Sequence, residues 1–170
     1  MFKKLLFLVI LVNTGMVLFG QVGVRHFEPS AGYSICPPRS WEIMSFPGQP
    51  LKMFAENTMN GFPGMMTFVS SFQPGTTLEN RWRDGLANLS RAIPEYKAIS
   101  TSDFTTNKGL KGKKHIYTQR AGSWDQRVIA YMFLAPNGRS VTINCGVVLS
   151  HGDRYDKVFD ESVATLEFDN

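Results

Sequence analysis

Residues 126–149 read QRVIAYMFLAPNGRSVTINCGVVL, and they carry the clearest fold signal in the chain. As an extended strand, residues 126–135 carry apolar side chains on both faces: Val128, Ala130, Met132 and Leu134 on one, and Ile129, Tyr131 and Phe133 on the other. A strand that is apolar on both faces is covered on both sides, so it lies inside a sheet. Pro136-Asn137-Gly138 predicts a tight turn. Residues 140–149 then return with one apolar face, made of Val141, Ile143, Cys145, Val147 and Leu149. The stretch therefore predicts an antiparallel hairpin at the centre of a sheet.

Shorter alternating segments predict further strands on both sides of this hairpin. They are residues 32–37, 51–55, 66–72, 98–105 and 114–119. Residues 57–64 and 106–112 are rich in glycine and polar residues and predict the loops between strands.

Two segments have helical periodicity. Thr76 and Glu79 form a capping-box pattern at the start of the first. Its apolar stripe consists of Leu78, Trp82, Leu86, Leu89 and Ile93, and Pro94 marks its end. The second helix is predicted over residues 155–166 with Phe159, Val163 and Leu166 on one side. The order β-β-β-α-β-β-β-β-α predicts an α+β fold, in which an antiparallel sheet of about six to seven strands is flanked by helices.

The N-terminus has the layout of a secretory signal. Met1 to Lys4 is positively charged, Leu5 to Val12 is an unbroken apolar run, and Gly20 is a small residue before the expected cut. A retained anchor is the alternative, although the run is shorter than the roughly 20 residues of a spanning helix. The expected organisation is a signal peptide over residues 1–20, a lead-in segment over 21–31 and a single domain over 32–170. The protein is thus expected to be exported, either periplasmic or secreted.

Charge and chemistry exclude several functions. Without Lys3 and Lys4, 16 basic residues stand against 14 acidic ones, a balance too even to favour nucleic acid. His26, His115 and His151 are isolated, whereas a metal site needs ligands at helical or hairpin spacing. The sequence has neither the G-x-S-x-G elbow of a serine nucleophile nor a complete phosphate-binding loop. We therefore expect no catalytic residue, no cofactor and no metal.

Two groups of residues are candidates for binding. Lys108, Lys111, Lys113 and Lys114 form a dense basic cluster, which is either a solvated hairpin tip or a contact for an acidic partner or anionic lipid. The second group is rich in methionine and phenylalanine, and methionine adapts its shape at promiscuous binding surfaces. Its members are Met53, Phe54, Met59, Phe62, Met65 and Met66. Core filling is the alternative for this group. Whether Cys36 and Cys145 form a disulfide is left open, because the sequence does not give their separation.

Several of these residues also resemble a known family. Gly32-Tyr33-Ser34-Ile35 is followed by Pro38 and Trp41, and the chain ends with the segment SVATLEF at residues 162–168. With the middle helix, the glycine hairpin at residues 109–112 and the long strand into Asn137-Gly138, this plan resembles PsbP-like domains over about residues 30–168. The resemblance implies a PsbP-like α/β/α sandwich. The family includes extrinsic photosystem proteins, a Ran-binding transport factor, exported bacterial proteins of unknown role and secretion-system chaperones, so the resemblance also implies a role in binding other proteins. It carries over no functional residue.

The expected function is that of an exported, non-enzymatic binding or accessory protein. Its partner is expected to be a protein of the cell envelope, with membrane contact only through an uncleaved signal or the basic hairpin. The alternatives are a small-ligand or lipid carrier, or a hydrolytic enzyme built on the same sheet.

Overall fold

A computed structural model describes residues 22–44, 52–54 (by their backbone) and 64–169. The strands are β1 His26–Glu28, β2 Tyr33–Ile35, β3 Glu42–Met44, β4 Lys52–Phe54, β5 Met65–Phe72, β6 Lys97–Thr105, β7 Lys111–Ala121, β8 Trp124–Leu134, β9 Arg139–Val148 and β10 Glu167–Phe168. The helices are α1 Leu78–Ala92 and α2 Asp156–Val163, and a short 3₁₀ helix, Leu149–His151, follows β9. Within the described residues, no helix is long and apolar enough to cross a lipid bilayer.

Seven strands form one antiparallel sheet in the order β3-β4-β5-β9-β8-β7-β6. The predicted hairpin β8–β9 is confirmed: Ala130 pairs with Asn144, and β9 is the middle strand of the seven. Its turn depends on Gly138, which has a φ of 85° and whose Cβ, if present, would lie 2.8 Å from the backbone of Pro74. The predicted α+β class with a largely antiparallel sheet is thus confirmed.

The two faces of this sheet are covered differently. On one face, called the α2 face, lie α2 and a smaller sheet of order β1-β2-β10. The main core sits here and includes Tyr33, Phe68, Tyr131, Phe133, Ile143, Cys145, Phe159, Val163 and Leu166. All of them are nearly or fully inaccessible to solvent, so this face is a dry, packed layer.

Helix α1 packs on the opposite face, called the α1 face. Tyr117, Val128 and Ala130 of the sheet form a second core with Leu89 and Ile93 from the end of the helix stripe. Trp82 is buried, which agrees with the predicted apolar stripe.

The start of α1 is shifted from the predicted position. The N-cap is Thr77, whose Oγ1 accepts a hydrogen bond from the backbone N–H of Asn80 at 3.2 Å, and not Thr76. Both residues are threonines, and the capping geometry selects the second because its backbone is extended where the helix begins.

Two further details differ from the sequence expectations, and a third answers the question of the disulfide, which the sequence left open. Leu149 starts the 3₁₀ helix and is exposed, so the apolar face of β9 ends at Val147. The lead-in contains β1, whose His26 to Glu28 pair with β2. Cys36 and Cys145 are both free thiols; Cys145 lies in β9, whereas Cys36 follows β2 of the smaller sheet.

Candidate functional site

The four lysines of the basic cluster do not share one surface. Lys111, Lys113 and Lys114 belong to strand β7 itself, and only Lys108 lies in the turn before it. Because side chains alternate along a strand, Lys113 and Lys114 point to opposite faces of the sheet. The expectation of one exposed contact made of four lysines is therefore corrected.

Lys113 is engaged on the α1 face. Its Nζ lies 2.6 Å from Oε1 of Glu79, in the first turn of α1, and 2.8 Å from Oδ1 of Asp103 in β6. The hydrogen bond with Asp103 raises the pKa of Lys113 and lowers the pKa of the Asp103 carboxyl. Lys113 thus connects the start of α1 to the edge of the sheet.

Lys114 is engaged on the α2 face. Its Nζ donates to both carboxylate oxygens of Asp160 in α2, at 2.7 and 2.8 Å, and lies 5.6 Å from the centre of the Tyr131 ring. Tyr131 donates its own O–H to the same carboxylate at 2.6 Å, and burial raises the pKa of this phenol far above its usual value.

A second ion pair joins α2 to the sheet one helical turn away. Arg127 donates two hydrogen bonds to the carboxylate of Asp156, at 3.1 and 2.7 Å. These pairs fix α2 to the sheet, which leaves only Lys108 and Lys111 as exposed members of the basic cluster.

The methionine-rich group is also divided by strand alternation. Met66 is completely buried on the α2 face, opposite Cys145 in the register, so its prediction as a surface residue is wrong. Met65 lies on the α1 face and is half-buried. Met53 is a backbone position in β4, as is Phe54. Met59 and Phe62 lie outside the described residues.

Part of the α1 face is not covered by α1. The helix lies over β7 and β8, where the second core forms, and the β3–β5 side of the same face is left open within the described part of the chain. We call this surface the open face; its side chains come from Glu42, Met44, Met65, Thr67, Val69, Thr142 and Asn144. Val69 is 47% exposed and Met44 is 39% exposed.

Sequence reasoning missed Met44 and Val69 as surface residues. The signal that was available is the alternation of β5, where Met66 and Phe68 face the core and Val69 faces away. Applied residue by residue, this alternation assigns Met65, Thr67 and Val69 to one surface. The alternation does not indicate that the surface is open, because that depends on where α1 lies across the sheet.

The histidines are not brought together. His115 is buried between β6 and α1, with Nδ1 3.0 Å from the carbonyl oxygen of Ser100 and Nε2 2.7 Å from the hydroxyl of Tyr96. Since a carbonyl only accepts, Nδ1 carries the proton and Nε2 accepts from Tyr96. Burial lowers the pKa of His115. His151 stacks on Tyr155 with ring centres 5.6 Å apart, and His26 lies in β1. The described residues hold no group of three or more side chains placed to bind a metal ion.

Similarity to known proteins was found by comparing structures and not by comparing sequences. No protein-family model matches the sequence, and no curated protein matches it. The chain is similar to cyanobacterial PsbP from Synechocystis, with 14% identity, a TM-score of 0.61 and coverage of 93% of this chain and 98% of the other.

Two further solved structures are similar to the same extent. The first is PA94 from Pseudomonas aeruginosa, a protein of unknown function, with 10% identity, a TM-score of 0.61 and coverage of 86% and 96%. The second is the Ran-binding protein Mog1p of Saccharomyces cerevisiae, with 9% identity, a TM-score of 0.60 and coverage of 85% and 94%. At these identities the likeness is one of fold, and it confirms the resemblance read from the sequence: the chain has the PsbP-like fold.

Proposed function

We propose that this protein is an exported, non-enzymatic binding protein of the cell envelope, and that it engages another protein through the open face. The observation that carries the proposal is the uneven coverage of the α1 face. Helix α1 covers β7 and β8, while Met44 and Val69 on the other half expose apolar surface. Exposed apolar side chains that gather on one face of a soluble domain are typical of a site that another molecule covers.

The chemistry of the open face favours a protein as the occupant. Apolar Met44, Met65 and Val69 are mixed with uncharged polar Thr67 and Asn144, and the charged Glu42 lies at the margin, on the edge strand β3. The central part of a protein interface is depleted in charge and enriched in methionine, with scattered hydrogen-bonding groups. Methionine also lets such a surface adapt to its partner.

Two other features support the proposal. The fold is shared with a protein named for binding Ran and with a cyanobacterial PsbP. The charged and apolar N-terminal segment supports export, so we expect exported protein to begin near Gln21. N-terminal sequencing of exported material tests this step, and material beginning at Met1 would contradict it.

The basic residues have a secondary role in this proposal. Lys108 and Lys111 are exposed at the β6–β7 hairpin. This hairpin and the open face lie at opposite ends of the seven-stranded sheet. Charges outside the contact area act on an approaching partner through long-range attraction, which changes the association rate and its salt dependence. We propose that these two lysines strengthen capture at low salt and are not the binding surface itself.

The experiment compares capture by matched variants of the exported domain. The test variant carries Met44→Asp and Val69→Asp, which place charge on the open face. The control carries Ile99→Asp at the far edge strand β6, where Ile99 is 53% exposed. Immobilised proteins are incubated with detergent-solubilised envelope from the source cells, and bound proteins are quantified by mass spectrometry. A partner retained by the parent and the control but lost by the test variant supports the proposal. Equal retention by all three, at unchanged melting temperature, contradicts it.

A further inference from the structure

A cleft lies on the α2 face, where β5 ends and β9 begins. The open face is on the other side of the sheet. Its volume is about 420 Å³, and it is lined by Ser30, Ala31, Ser70, Ser71, Phe72 and Arg139. The strands fix its floor, because Phe72 is paired with Arg139 in the β5–β9 register. The β1–β2 turn, which contains Ser30 and Ala31, forms the opposite wall. This volume lies within the range of small-molecule sites.

Arg139 supplies a positive charge in this cleft that no carboxylate pairs within ion-pair distance in the described part of the chain. Other arginines of the sheet layers have carboxylate partners: Arg25 lies 3.1 Å from Glu167, and Arg127 lies 2.7 Å from Asp156. The guanidinium of Arg139 has no such partner within the described part of the chain. An arginine side chain presents donors in a planar fork that matches a carboxylate.

Gly32 leaves room for this guanidinium at the wall of the cleft. A Cβ built on Gly32 would lie 1.6 Å from Nη1 and 2.8 Å from Cζ of Arg139. Gly32 also has a φ of 67°, so a side chain there would be strained as well as obstructed. The guanidinium therefore lies directly against the glycine backbone, in space that only a glycine leaves free.

Two further groups complete the recognition chemistry. Phe72 is 64% exposed and supplies an unpartnered apolar surface. The hydroxyl of Ser30 donates to Oε1 of Glu28 at 2.5 Å, so its proton is committed and its oxygen remains free to accept an N–H. The cleft thus combines a carboxylate receptor, an amide acceptor and an apolar contact.

We infer that this cleft binds the carboxylate of an acylated amino acid with an apolar side chain. Arg139 binds the carboxylate, Ser30 accepts the amide N–H, and Phe72 contacts the side chain. This chemistry occurs in free N-acylated amino acids and in the C-terminal residue of a protein. The inference is independent of the proposed partner surface, since the cleft and the open face lie on opposite sides of the sheet.

The binding test uses N-acetyl-L-phenylalanine and its amide as probes, measured by isothermal titration and by NMR shifts of the whole exported chain. We expect the acid to bind and the amide, which lacks the carboxylate charge, to bind at least tenfold more weakly. Arg139→Gln is expected to weaken binding of the acid at least tenfold. Arg83→Gln is the matched control, because Arg83 is exposed on α1 far from the cleft, and it should leave binding unchanged. Melting temperatures verify that each variant is folded.

The remaining arms distinguish the source of the ligand and define failure. A heptapeptide ending in phenylalanine that binds more tightly than the acetylated acid identifies a protein C-terminus, and equal affinity identifies a small acid. Equal binding of acid and amide, unchanged binding by Arg139→Gln, or no binding of any probe at 10 mM would overturn the inference. Inorganic phosphate binding as tightly as the acid, unaffected by Phe72→Ser, would also overturn it, because the site would then be a general anion site.

Discussion

Replacing Lys114 with glutamine tests the division of the basic cluster most sharply. The Nζ of Lys114 donates to both oxygens of Asp160, and its side chain is only 14% exposed. Glutamine keeps most of the length but removes the charge. Asp160 is then left with the Tyr131 hydroxyl as its remaining partner at this end of α2.

The expected loss of stability is about 2 kcal/mol. Hydrogen bonds to charged groups contribute about 1.5–3 kcal/mol. The Asp160 carboxylate is partly open to solvent, and screening brings the figure below the roughly 3–5 kcal/mol of a fully buried broken pair. For a domain of this size, a loss of about 2 kcal/mol lowers the melting temperature by roughly 4–8 °C.

The matched control is the double variant Lys108→Gln, Lys111→Gln. Both lysines are exposed, and surface substitutions of this kind usually change the free energy of unfolding by less than about 0.5 kcal/mol. Urea denaturation followed by tryptophan fluorescence measures both variants against the parent. If Lys114→Gln stays within about 0.5 kcal/mol of the parent and the control, the ion pair to α2 contributes nothing, and the division of the cluster is refuted.

Three further predictions concern the core. Gly112→Ala should lower the free energy of unfolding by about 1–3 kcal/mol, because the added Cβ would lie 2.5 Å from ring carbons of Phe133. Gly146→Ala is the control, since the atom nearest to its added Cβ is 3.9 Å away. Equal urea midpoints for the two variants would contradict the close packing at Gly112. His115 has a lowered pKa in the folded state, so its contribution to stability is complete above pH 6.5 and is lost as pH falls through the folded pKa. If the free energy of unfolding falls below pH 6.5 in the same way for His115→Gln as for the parent, another residue causes the loss. Trp82→Ala should cost roughly 3–5 kcal/mol in urea denaturation, and a loss below about 1 kcal/mol would mean that α1 does not bury this ring.

Local patterns were sufficient to predict the main elements of the fold. The hairpin of β8 and β9 is encoded by a run that is apolar on both faces and by the turn Asn137-Gly138, all within one stretch of sequence. The helix stripe around Trp82 follows in the same way from a spacing of three and four residues. Such features need no knowledge of distant partners.

The features that the sequence did not predict depend on distant partners. Lys114 and Asp160 are 46 positions apart, so the ion pair that removes this lysine from the basic surface is invisible to a local pattern. Strand β1 is three residues long and exists only because β2 pairs with it. The assignment of Met66 was wrong for another reason: a run of apolar residues was treated as one surface, although neighbours on a strand face opposite ways.

Site-specific photocrosslinking can show whether a protein partner covers the open face. A photoreactive phenylalanine analogue is placed at Val69 on the open face and, in a second variant, at Ile99 on the far edge strand. Both variants are expressed in the source cells and irradiated there. We predict a discrete crosslinked adduct to one envelope protein from position 69 and none to that protein from position 99. Absence of an adduct from position 69, or the same adduct at equal yield from both positions, would contradict the account.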